Sequence, residues 1–301
     1  MHEIVVISGK GGTGKTSLTG AFASLARNAI LCDLDVDAPD LHILLAPEYV
    51  REEAFISGFE AHIDPGACTG CAVCADMCRY GAVVVSGQKY TIDALRCEGC
   101  GVCVRFCPAQ AVSFTPRHCG QRYISSTRFG TMVHAQLFPG QENSGRLVSL
   151  LRREARDTAK AEGRDLILCD GAPGIGCPVI SSLSGTHLAV IVTEPTPSGR
   201  HDLDRVGRLC EHFRVKVAVI VNKYDLNQDE EGRIQALCRE RGYEIVARLP
   251  HDPIVTGAMV ARKVVTEMPE NPLSALLVQA WSRIEGLARA VGASQGASLS
   301  L

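Results

Sequence analysis

The chain has no basic run and almost no net charge: 31 Lys and Arg stand against 33 Asp and Glu, a formal −2. That balance removes the electrostatic footprint that nucleic acid or an anionic membrane surface requires, so neither is expected as a partner. No stretch reaches the ~18 consecutive apolar residues of a membrane span, so no membrane insertion is expected. The opening segment, Met1-His2-Glu3-Ile4-Val5-Val6-Ile7, lacks a basic flank and an apolar core of roughly ten residues, so it reads as a short strand, not a secretory signal. Gly292–Leu301 carries no charged side chain, which leaves no basic amphipathic tail. What the chain does have is cysteine, 14 in 301 residues, within a composition that is 46% hydrophobic. Grouped as Cys-x2-Cys, these thiols read as metal ligands in a reducing compartment, not as disulfides, and the expected location is the cytoplasm.

Short apolar, β-branched runs alternate with helical patterns. Ile4–Ile7, Ala29–Cys32, Leu166–Cys169, His187–Val192, Val217–Val221 and Glu244–Ala247 are strand candidates. Helical segments lie near 15–27, 145–161, 200–212, 230–241 and 271–291. Nearly continuous apolar strands between helices predict an α/β domain with a doubly wound, mostly parallel sheet. A ligand is then expected at the carboxyl ends of the strands. Between about 54 and 117 the alternation stops and the composition turns to Cys and Gly. The expected organisation is one α/β domain in two parts, 1–53 and 118–291, interrupted by a small α+β insert at 54–117, with a disordered tail at 292–301.

The insert contains an internal repeat. Cys68-x2-Cys71-x2-Cys74-x3-Cys78 is followed at a 29-residue offset by Cys97-x2-Cys100-x2-Cys103-x3-Cys107-Pro108. The copies also share Gly70/Gly99, Val73/Val102, Ala82/Ala111 and Val83/Val112. This is the spacing of a bacterial two-cluster ferredoxin, in which each motif's fourth cysteine ligates the other cluster. Cys68, Cys71, Cys74 and Cys107 are therefore assigned to one [4Fe-4S] cluster, and Cys97, Cys100, Cys103 and Cys78 to a second. Zinc ribbons use two Cys-x2-Cys pairs and do not suit eight ligands so spaced. The one departure is Arg79, where a proline usually follows the fourth cysteine; it affects potential or packing at that end without removing a ligand.

Gly9-Lys10-Gly11-Gly12-Thr13-Gly14-Lys15-Thr16 fits G-x4-G-K-[ST] and sits between a predicted strand and a predicted helix. The glycines let backbone N–H groups approach phosphate oxygens, and the helix from Lys15, Thr16 and Ser17 onward directs its positive end at the same anion. Lys15 is expected on the β- and γ-phosphates and Thr16 on Mg²⁺.

Lys10 is a second lysine inside the loop. Lys10-Gly11-Gly12-Thr13-Gly14-Lys15-Thr16 resembles the K-G-G-x-G-K-[ST] loop of the deviant Walker A ATPases, the MinD, ParA, Mrp and nitrogenase iron protein superfamily. The resemblance implies an ATP-bound dimer, with a like chain or a related ATPase, in which Lys10 reaches the partner's nucleotide. Asp33-Leu34-Asp35-Val36-Asp37 resembles the family's switch I, which implies that Asp35 positions the attacking water and Asp33 supports Mg²⁺. Leu166–Asp170 has a Walker B pattern with Asp170 near Mg²⁺, and it runs into Gly171-Ala172-Pro173-Gly174, similar to switch II. Asn222 matches the asparagine that contacts adenine in the family, with Pro250 and Asp252 near the base. Asn222-Lys223-Tyr224-Asp225 also fits the guanine signature N-K-x-D, so GTP is the alternative to ATP.

Six cysteines remain. Cys32 and Cys169 fall in apolar strands and read as core. Cys210 and Cys238 fall in helices. Cys177 lies seven residues after Asp170, where the nitrogenase iron protein holds a subunit-bridging cluster. Cys119 is the one candidate for a second such ligand, with no motif around it. The leading expectation is an ATPase that couples nucleotide-driven dimer switching to electron transfer through two [4Fe-4S] clusters, acting on a redox partner. A metallocofactor-assembly ATPase serving an apo-metalloprotein comes second. A MinD/ParA-like positioning ATPase comes last, because the chain lacks a basic tail.

Overall fold

The computed structural model describes residues 1–87, 89–141, 143–269 and 271–298, with side chains described for all of these but 86 and 293–298. The chain divides into two compact units, one of Met1–Glu52, Arg122–Gln136 and the residues from Ser144 onward, the other of Glu53–Gln121 and Leu137–Asn143.

The first unit is built on β1 (His2–Ser8), α1 (Lys15–Leu25), β2 (Ala29–Asp33) and α2 (Leu41–Leu45). The long strand β3 (Glu48–Ile63) leads into the second unit, which holds α3 (Val73–Met77), β4 (Val83–Ser86), β5 (Lys89–Ile92) and α4 (Val102–Phe106). The chain returns by β6 (Val112–Thr127) and β7 (Gly130–Leu137). It continues with α5 (Ser144–Ala161), β8 (Leu166–Pro173), α6 (Cys177–Leu183), β9 (Leu188–Thr193), α7 (Pro197–His212), β10 (Lys216–Asn222), α8 (Gln228–Arg241), β11 (Glu244–Leu249), α9 (Ile254–Val260) and α10 (Leu273–Ser298). The sheet order is β11-β10-β9-β1-β8-β2-β7-β6-β3, and every pairing from β11 to β7 is parallel.

The six strand candidates all lie in this sheet. Ile4–Ile7, Leu188–Val192 and Ala218–Val221 are fully buried, as strands covered on both faces must be. On one face, Phe22 of α1 stacks on Trp281 of α10 with ring centroids 5.6 Å apart. Leu273, Leu277, Ala280, Ile284 and Ala288 form the buried stripe of α10 at three- and four-residue spacing. On α5, Leu147, Val148, Leu151, Ala155 and Ala159 do the same.

Glu3 and Arg152 are a buried pair within this packing. The Arg152 guanidinium donates to Glu3 and Thr186 and to the carbonyls of Ser181 and Ser184, tying β1 and α5 to the end of α6. Arg156 donates to the other Glu3 oxygen at 2.7 Å.

Two features differ from the sequence expectation. β7 is a parallel neighbour of β2 that the alternation did not reveal, because His134 interrupts its apolar pattern; His134 is nonetheless buried, with its Nε2 2.8 Å from Ser125 Oγ. The closing helix, expected to end at 291, reaches Ser298, so residues 292–298 continue it instead of forming a tail. Residues 299–301 lie outside the described residues.

In the second unit β4 and β5 form an antiparallel pair, Val83↔Ile92 to Ser86↔Lys89. The repeat is visible in backbone geometry. α3 and α4 each span five residues and follow a left-handed residue, Ala72 (φ 65°) and Gly101 (φ 73°). The repeat also reaches upstream of the cysteines. Cys68 N–H donates to Asp64 O and Cys97 N–H to Asp93 O, at 3.0 and 3.1 Å, while the two carboxylates accept from Gly66 N–H and Leu95 N–H. Gly99 admits no side chain: a Cβ there would lie 2.1 Å from the Phe59 carbonyl oxygen.

Candidate functional site

The carboxyl ends of β1, β2, β8 and β10 deliver Ser8, Asp33, Asp170 and Asn222 to one end of the first unit's sheet. A cavity of about 560 Å³ opens there, within the usual range for a small-molecule site. Gly11, Gly12, Thr13, Gly14, Lys15, Thr16 and Ser17 line it, along with Asp35 and Asn222. Gly9 and Lys10 begin the same loop; Gly9 is packed so tightly that a Cβ would meet Asp202 Cβ at 2.2 Å. Gly14 has φ 88°, a left-handed conformation that turns the chain into α1. Asn222 closes over that turn and donates from Nδ2 to the Thr13 carbonyl at 2.8 Å.

Charge concentrates around Lys15, which is buried. Its Nζ is 3.0 Å from Asp170 Oδ1 and 3.5 Å from Asp35 Oδ2. Burial works against the charged lysine, but Asp170, Asp35 and Asp33 outweigh it and hold its pKa above the ordinary value. Asp170, itself fully buried, accepts from Thr16 Oγ1 at 2.7 Å and from Thr19 Oγ1 at 2.9 Å. Thr19 is absent from the sequence-predicted set; its position one helical turn after Lys15 was the available signal. Asp33 faces Asp170 across the β2–β8 pairing. Its two carboxylate oxygens accept from the backbone N–H groups of Asp35 and Leu41, which fixes the loop between β2 and α2. Burial, with Asp170 alongside, pushes the Asp33 carboxyl well up. Burial also raises Asp35, against the pull of Lys15.

Lys10 is held within its own chain. Its Nζ lies 3.5 Å from Glu194 Oε2, and Glu194 also pairs with Lys223 Nζ at 2.5 Å. Glu194 follows β9 and belongs to no motif, so sequence reasoning passed over it. Pro250, His251, Asp252 and Met259 line the far wall of the cavity, and Ser17 Oγ lies 3.5 Å from Met259 sulfur. Asp225, the acid of N-K-x-D, does not line the cavity; its Oδ1 accepts from His251 N–H at 2.7 Å.

In the second unit the eight motif cysteines sort into two small cavities. One is lined by Cys68, Cys71, Cys74 and Cys107, the other by Cys97, Cys100, Cys103 and Cys78. Among the described residues no three His, Cys, Asp or Glu side chains converge to hold a single ion. Ala111 N–H donates to Cys107 Sγ at 3.3 Å. Burial pushes the Cys78 thiol up, but the amides of Ala82, Tyr80, Val83 and Gly81 outweigh it and hold the thiol below its usual value. Cys119 is buried in this unit and donates to the Ser57 carbonyl at 3.1 Å. Cys177 is exposed at the start of α6 in the first unit. Cys32, Cys169, Cys210 and Cys238 are core residues.

Residues 4–263 match the family described as the CobQ/CobB/MinD/ParA nucleotide binding domain. The chain belongs to that family. The fold is the family's α/β P-loop fold with a large, mostly parallel sheet. The chain is 32% identical over 230 residues to Uncharacterized protein MJ0578 of Methanocaldococcus jannaschii, covering 75% of this chain and 79% of that one. In fold it is similar to the cell division ATPase MinD of Pyrococcus furiosus, with a TM-score of 0.58 at 18% identity, covering 95% of this chain and 99% of the other. It is equally similar to the septum site-determining protein MinD of Pyrococcus horikoshii OT3, solved with Mg-ADP, with a TM-score of 0.58 at 16% identity over 96% and 98% of the two chains. At such identities the likeness is one of fold. The MinD/ParA-type architecture that the phosphate-loop motif implies is thus the one the chain shares; what the sequence placed last was only the positioning role. Among the described residues no helix is long and apolar enough to cross a membrane.

Proposed function

We propose that the chain is an ATP-hydrolysing switch whose inserted ferredoxin-like unit, residues 54–117, carries two [4Fe-4S] clusters and exchanges electrons under control of the nucleotide state. The observation that carries this is the sorting of the cysteines. Each cavity takes three from one motif and the fourth from the other, as the repeat spacing requires. Bound clusters supply one-electron exchange; the chain supplies the eight thiolates and the amides that stabilise them.

At the nucleotide site, the Gly11–Gly14 amides and Lys15 take the phosphates of ATP, and Thr16 and Asp170 hold Mg²⁺. Asp35 orients the attacking water, while Asp33 braces the switch I loop. Lys10 leaves Glu194 to reach the nucleotide of a partner ATPase, like or related. Asn222 and Pro250 flank the base. ATP is favoured over GTP because Asp225, which would read guanine, does not line the cavity.

The test is anaerobic purification followed by iron, acid-labile sulfide and zinc analysis, with ATP turnover measured for oxidised and reduced protein. The proposal expects iron and sulfide sufficient for two clusters and a turnover that depends on redox state. Zinc in their place, or turnover indifferent to reduction in fully loaded protein, would contradict it. A second reading, a positioning ATPase without redox chemistry, draws on the MinD-like architecture. It expects ATP-dependent co-sedimentation with lipid vesicles or DNA. Cluster delivery expects instead that a cluster leaves intact for an apo-metalloprotein.

A further inference from the structure

The two halves of the cysteine repeat match in backbone but not in charge. At the 29-residue offset, Arg79 aligns with Pro108, Arg96 with Ala67, Arg105 with Asp76, and Arg117 with the glutamine at 88. Arg79 follows the ligand Cys78, Arg96 precedes the ligand Cys97, and Arg117 is bonded to the Cys97 loop, while Arg105 lies midway between Cys103 and Cys107, one ligand of each cluster. The opposing difference is smaller: Glu98 aligns with Thr69, and Asp93 and Asp64 are common to both halves.

Arg117 is the best placed of the four. Its side chain is 16% exposed, and Nη2 donates to the carbonyls of Ala94 and Cys97 at 3.0 and 2.8 Å. Its Nε is buried with no hydrogen-bond partner and forms an ion pair with Glu60 at 3.6 Å, leaving the Nη2 end on the Ala94–Cys97 loop. Arg96 meanwhile pairs with Asp93, the acid that closes the same loop. A cluster gains negative charge on reduction, so a fixed cation in a shielded place stabilises its reduced form.

Resting on the iron–sulfur reading above, we infer that the two clusters are electrostatically unequal. The one held by Cys97, Cys100, Cys103 and Cys78 is reduced first, and Arg117 sets its potential. Arg117 is a positioning residue: it acts by its charge and by holding the Ala94–Cys97 loop. The electron that the unit stores then rests at the arginine-rich end, and the other cluster serves as the relay of lower potential.

The experiment is a redox titration followed by EPR on the full chain, with iron and sulfide measured on every sample. Two separate midpoints are expected for the native protein. Arg117→Gln should lower the higher midpoint and leave the lower one in place, and Arg117→Lys should restore most of the shift. If Arg117→Gln loses iron, the exposed Arg79→Gln replaces it, with a smaller shift in the same direction expected. A single shared midpoint, or an arginine substitution that moves both midpoints or neither in fully loaded protein, would overturn the inference. Native protein that takes up no iron and sulfide would overturn the iron–sulfur reading itself, and this inference with it.

Discussion

Thr16 Oγ1 donates a 2.7 Å hydrogen bond to Asp170 Oδ2, joining the phosphate loop to the end of β8. Asp170 also holds Lys15 and Thr19, so three residues of α1 report to one buried carboxylate. Asp170→Asn keeps the shape and removes the charge. ATP turnover should fall on the order of 100-fold, by analogy with removal of one electrostatic stabiliser. Circular dichroism should show the fold retained, and native turnover in this variant would contradict the assignment.

Thr19 is the residue that motif reading omits. Thr19→Val removes one donor to Asp170 and leaves the hydroxyl's place filled by a methyl. A loss of one hydrogen bond to a charged group, about 1.5–3 kcal/mol, should appear mainly in stability or in kcat and little in nucleotide affinity. Denaturant titration and steady-state kinetics on the same sample separate these.

Gly14 and Asn222 share one small space. A Cβ at Gly14 would stand 2.6 Å from Asn222 Nδ2, on a backbone with φ 88°. Gly14→Ala should therefore abolish nucleotide binding as seen by equilibrium dialysis. Asn222→Ala, which removes the bond to Thr13 and the one its Oδ1 accepts from Lys223 N–H, should weaken it by about tenfold, the equivalent of ~1.4 kcal/mol.

Arg152→Ala should be the costlier change to stability, although it lies away from the nucleotide. It leaves Glu3 buried with Arg156 alone and frees the Ser181 and Ser184 carbonyls. A loss of about 3 kcal/mol is expected from breaking a buried pair, read as a lower denaturation midpoint at constant m.

Acid should weaken the first unit through His134. Burial, with His42 alongside, pushes its imidazole down to about 4. The unfolded chain takes up this proton first, near pH 6.5, so the contribution is full above that pH and is lost as pH falls toward 4, by up to about 3 kcal/mol. His134→Gln can keep the bond to Ser125 and should flatten the stability curve between those values. A slope unchanged by the substitution would assign the acid sensitivity to other groups.

Much of this was legible in the sequence because it rests on local rules. Apolar runs such as Val217–Val221 can only be buried strands, and the glycines and lysines of 9–16 have few other uses in that order. What escaped depends on tertiary neighbours. β7 was hidden by a histidine whose polarity is satisfied by Ser125. Residues 292–298 read as polar yet continue a helix begun by a strong apolar stripe. Thr19 and Glu194 matter only through Asp170 and Lys10, which lie far from them along the chain. Nor does Cys spacing reveal that Arg117, ten residues beyond the last motif cysteine, reaches the Cys97 carbonyl.

The most direct measurement is the EPR spectrum and reduction potentials of the anaerobically purified, reduced protein, with and without Mg-ATP. The account expects two [4Fe-4S] signals and a shift in spectrum or potential when nucleotide binds. Two signals indifferent to nucleotide, or no cluster signal at all, would contradict the claim that the nucleotide switch governs electron transfer.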